Sequence, residues 1–234
     1  MNLNAKKKQI AVLIDPDKTS PAKLKKIAAQ ASRADIDFFL VGGSLMINDH
    51  LEQTIELLKQ YSKKKIYLFP GSPSQICNKA DGILLLSLIS GRNPDLLIGQ
   101  HVLAAPRLKA SGLEIIPTGY ILVDGGSATA VSYISNTTPI PANKPEIAAC
   151  TAMAGEMLGL KTIYLEAGSG ATKPVPPKLI KIVKEHIKIP LIVGGGIKTA
   201  KQVQEAFQSG ADIVVIGTAI ENDIHFLEKL KKVS

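Results

Sequence analysis

The sequence predicts an α/β protein built as a single TIM (β/α)8 barrel over residues 1–234. Three observations predict it. Eight short apolar runs alternate with longer amphipathic segments along the whole chain. The runs are continuously apolar, as strands covered on both faces should be. Glycine loops follow the last two runs, where such barrels place a phosphate site. An open doubly wound sheet is the rival architecture.

The first strand is read at Gln9–Ile14, and Ser20-Pro21 opens the following helix as a cap and first-turn proline. Phe38–Val41 is the second strand, followed by a helix over Asn48–Tyr61 with Asn48 as its cap. The third and fourth strands, Ile66–Phe69 and Ile83–Leu86, are separated by Gly71–Asp81, too short for a full crossover helix, so a loop is expected there. Pro94–Lys109 reads as a helix and Glu114–Val123 holds the fifth strand. A Gly/Ser/Thr/Asn/Pro-rich loop then spans Asp124–Lys144; loops of that length are usually functional or mobile. Glu146–Leu158 returns to helix. The last three strands, Thr162–Leu165, Leu191–Val193 and Ile213–Ile216, are followed by helices at Pro177–His186, Thr199–Gln208 and Asp223–Lys232.

Composition narrows the function classes. Apolar residues are 45% and charged residues 21%, which argues against disorder. Two cysteines, Cys77 and Cys150, exclude a disulfide scaffold and fit a reducing, cytoplasmic setting. No apolar run reaches the roughly 18 residues of a membrane span. The stretch after Lys6–Lys8 stops at Asp15, too short for a signal peptide. The net charge of +8 points to anionic partners, but the lysines are scattered, with small clusters such as Lys229/Lys231/Lys232, and aromatics are only 4%, so no nucleic-acid partner is expected. Contact with an anionic substrate or, transiently, a membrane surface remains. Lys178, Lys181, Lys184 and Lys188 read as a solvated helix face. The four histidines fall on predicted helices and read as surface or packing residues.

Barrel chemistry sits at the strand C-termini. Gly195, Gly196, Gly217 and Thr218 follow strands seven and eight and offer backbone donors to a phosphate, with Gly168, Ser169 and Gly170 as a third wall. Asp15 and Glu166 end strands one and six and should face the mouth. Asp15 with Ser44 supplies two hard oxygen ligands suited to Mg2+. Glu166 lies between apolar Leu165 and Ala167, where a structural strand would carry an apolar residue, and is placed to accept a proton from a substrate hydroxyl. Asp17 and Lys18 are read as ordering the first loop or capping the next helix.

Taken together, Leu13-Ile14-Asp15-Pro16-Asp17-Lys18, Val41-Gly42-Gly43-Ser44, Tyr164-Leu165-Glu166-Ala167-Gly168-Ser169-Gly170, Val193-Gly194-Gly195-Gly196-Ile197 and Gly217-Thr218-Ala219-Ile220 resemble the geranylgeranylglyceryl phosphate synthase family. That family includes the bacterial PcrB-type heptaprenylglyceryl phosphate synthases. The resemblance covers nearly the whole chain, and the Tyr164–Gly170 segment is its most specific part. It implies a prenyltransferase that joins sn-glycerol 1-phosphate to a polyprenyl diphosphate and releases pyrophosphate. It implies a modified barrel whose third helix is replaced by a loop. It implies Mg2+ on Asp15 and Ser44, and glycerol 1-phosphate on Tyr164, Leu165, Glu166, Ala167, Gly168, Ser169 and Gly170 with Gly195, Gly196, Gly217 and Thr218. Glu166 is the base under this reading, Tyr120 a candidate for the prenyl groove, and Asp124–Lys144 a candidate lid. A homo-oligomer is expected from the same resemblance. PcrB-type members carry Lys two residues before the metal-binding Asp, where this chain has Leu13, and a shorter Tyr-Leu-Glu-Tyr-Ser-Gly segment. The chain is therefore similar to the second, mostly archaeal group, which favours a geranylgeranyl donor. The alternatives are another phosphosugar barrel, an isomerase or synthase, and a non-catalytic phosphate- or headgroup-binding barrel.

Overall fold

Parallel strands pair in sequence order and close on themselves: β1 (Gln9–Ile14), β2 (Phe38–Val41), β3 (Lys65–Leu68), β4 (Gly82–Leu88), β5 (Glu114–Leu122), β6 (Thr162–Glu166), β7 (Leu191–Gly194) and β8 (Ile213–Ile216), with β8 returning to β1. The computed structural model describes residues 1, 7–34 and 36–230. The predicted barrel is present, and none of the described helices is long and apolar enough to cross a membrane.

Strand periodicity splits the apolar residues into two cores. Ala11, Phe38, Leu40, Tyr67, Leu84, Ile116, Tyr120, Tyr164, Ile192 and Val215 fill the barrel interior. Their neighbours, among them Ile10, Val12, Phe39, Ile66, Ile163, Val193 and Val214, turn outward onto the helices. Both faces of each strand are therefore covered, which is why the runs read as continuously apolar. The same alternation sends Asp15 to the inner face with Ala11, and Glu166 with Tyr164.

At the opposite end of the barrel, one carboxylate motif recurs. Asp37, Asp81 and Asp212 each stand just before an even-numbered strand and accept an N–H from the start of the neighbouring odd one: Ile10 at 2.8 Å, Ile66 at 2.8 Å and Leu191 at 2.9 Å. Asp212 also holds Lys184 at 2.7 Å, which takes that lysine out of the solvated face read from the sequence.

Helix α1 (Pro21–Ala31) starts as expected, with Ser20 accepting the Lys23 N–H at 3.4 Å. Helix α2 (Leu51–Tyr61) has His50, not Asn48, at its cap position. The Asn48 N–H is instead held by the Asp17 carboxylate. Residues 69–81 contain no helix, so the third crossover is a loop. The helix expected over Pro94–Lys109 is a π-helical turn, Asp95–Gly99, running into α3 (Gln100–Ser111). The Asp124–Lys144 segment is not helix-free: α4 (Ala130–Ile134) starts at a Thr129–Ser132 capping box. Helices α5 (Pro145–Met157), α6 (Pro177–His186) and α7 (Ala200–Gln208) follow the prediction, α7 through a second capping box at Thr199 and Gln202. Within the expected final helix, Asp223–Lys232, the structure has the short α9 (Phe226–Leu230); a further short helix that was not expected, α8 (Thr218–Asn222), precedes it, with His225 between the two. The predicted end of that helix, with Lys231 and Lys232, and Lys6 of the N-terminal cluster lie outside the described residues. His50 and His225 thus stand outside helices.

Candidate active site

Glu166 ends β6 with 4% of its surface exposed. Its Oε1 accepts the Gly168 N–H at 2.6 Å. Burial pushes its pKa from 4.5 up to about 7, while the Gly168 N–H and the nearby Tyr164 hydroxyl pull the other way. Burial also raises Tyr120 and Tyr164 well above the usual phenol value, with the Glu166 charge adding to it. The Tyr164 hydroxyl is buried, with the Glu166 carboxyl as its polar neighbour. Gly194 leaves the space that this hydroxyl occupies. A carboxyl that gains and loses its proton near neutrality is suited to general-base work.

Around this group the three predicted glycine loops do converge. Gly195 (φ 83°) and Gly196 (φ 69°) adopt left-handed backbone that favours glycine. A Cβ on Gly195 would overlap Glu166 Oε1 and come within 2.6 Å of the Gly168 N. The β7 loop therefore lies directly on the carboxyl. Ser169 and Thr218 bring the β6 and β8 loops together, their hydroxyls 3.3 Å apart. Leu13, on the inner face of β1, lies against Gly217, where a Cβ would be 3.5 Å from the Leu13 Cβ. The result is a small polar cradle with exposed Ser169 and Gly170 at its mouth.

Asp15 and Ser44 stand at the ends of β1 and after β2. Asp15 Oδ2 pairs with Lys18 Nζ at 2.8 Å and its Oδ1 accepts the Asp17 N–H at 3.1 Å. Gly43 faces this carboxylate: a Cβ there would lie 3.4 Å from Oδ2, so the glycine leaves the room beside it. Asp15 and Ser44 are hard-oxygen groups of the kind that fit Mg2+ completed by substrate oxygens, and Gly43 keeps space open beside the first. Among the described residues, no group of three or more His, Cys, Asp or Glu is arranged to hold a metal ion by itself. Asp17 does not cap α1. Its carboxylate accepts the N–H groups of Ile47 at 2.6 Å and Asn48 at 3.3 Å, which ties the first loop to the second.

An apolar groove of about 920 Å3, counted with its open mouth, leads away from Ser44. It runs between β4 and α3, beside the connection where the third helix is missing. Phe69, Leu86, Leu88, Leu96, Tyr120 and Val131 line it. Tyr120 touches both Phe69 and Tyr164, with ring centroids 5.8 and 5.4 Å apart, so Tyr120 and Tyr164 form the partition between groove and cradle. Two groove elements escape a reading of the sequence. His101 lines it from α3, its Nε2 2.9 Å from the Leu86 carbonyl, although its sequence position marks only a helix. Val131, Ile134 and Ser135 line it from α4 and its C-terminal end, a helix whose only sequence signal is the Thr129–Ser132 pair. Cys77 and Cys150 are free thiols, one buried and one exposed.

Comparison with known proteins identifies the family of the chain. The PcrB family model matches residues 3–234. A geranylgeranylglyceryl phosphate synthase of Chitinophaga pinensis is 52% identical over 95% of this chain and 88% of the relative. That of Pyrococcus abyssi is 44% identical over 94% and 87%. The crystal structure of (S)-3-O-geranylgeranylglyceryl phosphate synthase from Thermoplasma acidophilum, in complex with its substrate sn-glycerol-1-phosphate, superposes with a TM-score of 0.91 at 34% identity, over 97% of this chain and 92% of that one. With a family model matched along nearly its whole length and relatives this similar, the chain belongs to the PcrB family.

Proposed function

We propose that this protein is a prenyltransferase that joins sn-glycerol 1-phosphate to a polyprenyl diphosphate, with geranylgeranyl diphosphate as its donor, and releases pyrophosphate in an Mg2+-dependent reaction. One observation carries the reading: a buried carboxyl of pKa about 7 sits at the partition between a glycine-rich polar cradle and an apolar groove. A phosphorylated polyol fits the first compartment and an isoprenoid tail the second. The named activity of the relatives, and the glycerol phosphate in the Thermoplasma structure, support it.

The residues divide the work. Backbone N–H groups of the loops at Gly168–Gly170, Gly195–Gly196 and Gly217–Thr218 hold the acceptor phosphate, which fixes the hydroxyl to be alkylated. Glu166 accepts the proton of that hydroxyl as its oxygen bonds to the allylic carbon and the carbon–diphosphate bond breaks. Phe69, Tyr120 and the leucines of the groove orient the tail and exclude water from the developing allylic cation. Asp15 and Ser44 would hold Mg2+, which supplies neutralisation of the departing diphosphate. Because both substrates are anchored by their phosphates, positioning supplies a large share of the rate enhancement.

A turnover assay tests the proposal. The protein is mixed with sn-glycerol 1-phosphate, geranylgeranyl diphosphate and Mg2+, with sn-glycerol 3-phosphate and EDTA as controls. Ether-linked product is expected only with the 1-phosphate and only with metal. No product with any prenyl diphosphate would reduce the protein to a phosphate-binding barrel.

A further inference from the structure

The loop that replaces the third crossover helix carries one buried polar side chain, Gln75, which is 5% exposed. Its amide is engaged with main chain at both ends. Oε1 accepts the Gly71 N–H at 3.0 Å, and Nε2 donates to the Gly43 carbonyl at 3.0 Å. Gly43 immediately precedes Ser44. Gly71 in turn lies backbone to backbone on the same segment: a Cβ there would overlap the Gly43 carbonyl oxygen and stand 2.7 Å from that of Ser44. Gln75 thus stitches the end of the β3 loop to the one peptide that aims Ser44. On the other side of Ser44, the Asp17 carboxylate holds the N–H groups of Ile47 and Asn48. The main chain on either side of Ser44 is therefore held, by an amide reaching from the helix-free third loop and by a carboxylate reaching from the first.

We propose that Gln75 is a positioning residue that sets the Ser44 hydroxyl against Asp15 and so determines cation and diphosphate affinity at the head of the apolar groove. The inference deepens the proposed function and rests on its assignment of Ser44 as a metal ligand. The argument is one of geometry. Gly43 and Ser44 line the groove where it begins, and Gly43 also faces the Asp15 carboxylate. A rotation of the Gly43–Ser44 peptide would therefore move the hydroxyl and the space beside Asp15 together. A side-chain amide is suited to this task because it supplies an acceptor and a donor in a single rigid plane. A helix in this connection would use its own backbone groups internally, leaving none to hold the neighbouring loop.

The test uses the whole chain and reads Mn2+ binding in the presence of inorganic pyrophosphate, by electron paramagnetic resonance, alongside steady-state kinetics. Gln75→Glu keeps the acceptor for Gly71 but sets a carboxylate oxygen against the Gly43 carbonyl. Gln75→Met removes both hydrogen bonds at similar volume. Expected results are a roughly tenfold weaker Mn2+ affinity in either variant, the equivalent of one broken orienting contact. The donor KM should rise by a similar factor while the acceptor KM stays within twofold. The Gln75→Glu/Ser44→Ala double variant should bind Mn2+ no more weakly than Ser44→Ala alone, since the two act through one hydroxyl. Mn2+ affinity within twofold of the parent in a folded Gln75 variant, or additive losses in the double variant, overturns the proposal. Failure of both variants to fold assigns the amide to the scaffold and overturns it too. A Ser44→Ala variant with unchanged Mn2+ affinity instead removes Ser44 from the metal site, and with it the foundation of the inference.

Discussion

Replacing Glu166 with Gln removes a charge that the fold holds at the expense of its own stability. In the native chain burial places this carboxyl at about 7, against 4.5 for the unperturbed group. Between those values the folded state keeps a proton that the unfolded chain has released. Stability therefore falls as pH rises through that window and stays lowered above it. At 1.36 kcal/mol per pH unit the difference amounts to about 3 kcal/mol at pH 8, and to less than about 1 kcal/mol at pH 5. Glutamine keeps an oxygen to accept the Gly168 N–H and carries no charge. The Glu166→Gln variant should thus be more stable than the parent by about 3 kcal/mol at pH 8, or roughly 6–12 °C in Tm for a chain of this size, and nearly equal to it at pH 5. Urea and thermal unfolding at pH 5, 6.5 and 8 read this directly. A stability gap that does not change with pH, or a variant that is less stable than the parent at pH 8, would refute the claim that burial of this carboxyl opposes folding.

Four further outcomes follow from the same geometry. The kcat/KM for the acceptor should rise with pH and level off above about 7, a limb that disappears in Glu166→Gln along with about 10²–10⁴ of kcat. Gly195→Ala should abolish acceptor binding measured by calorimetry, because its Cβ would overlap Glu166 Oε1 in left-handed backbone, and should destabilise the fold by about 1–3 kcal/mol. Tyr120→Ala should open the groove toward the cradle and shift donor preference to longer chains in competition assays, at a stability loss of about 3 kcal/mol; an unchanged preference removes Tyr120 from that role. Asp81→Ala leaves the Ile66 N–H without its carboxylate and should lower stability by about 1–3 kcal/mol in urea unfolding.

The barrel was legible because strands covered on both faces read as continuously apolar runs, eight of them, each ended by a change of composition. Asp15 and Glu166 could be placed at the mouth because each stands where its apolar run ends, and barrel chemistry sits at strand C-termini. Glycine loops after β7 and β8 could be placed because chain order dictates where the last two units close. What escaped depends on contacts between residues far apart in sequence. Asn48 looks like a helix cap, but a carboxylate 31 positions earlier takes its N–H, so the helix starts later. Gln75 looks like an ordinary loop residue until its amide is seen on Gly43, 32 positions away. Helix α4 has only five residues, too few for an amphipathic pattern to register. The π turn at Asp95–Gly99 differs from an α-helix by one residue per bond, which no periodicity over so short a stretch resolves.

The three aspartates at the far end of the barrel bear on the chemistry without approaching it. Side chains in a strand alternate in direction, so a slip of one residue would turn every inward group outward. By pinning the first residue of β7 and the second residues of β1 and β3, Asp37, Asp81 and Asp212 act as index marks for those strands. β1 delivers Asp15, β3 leads into Gly71, and β7 delivers Gly194–Gly196. Whether a carboxylate at the mouth looks into the cradle or out into the helical layer is decided a strand's length below it, so catalytic geometry and folding fidelity share the same three side chains.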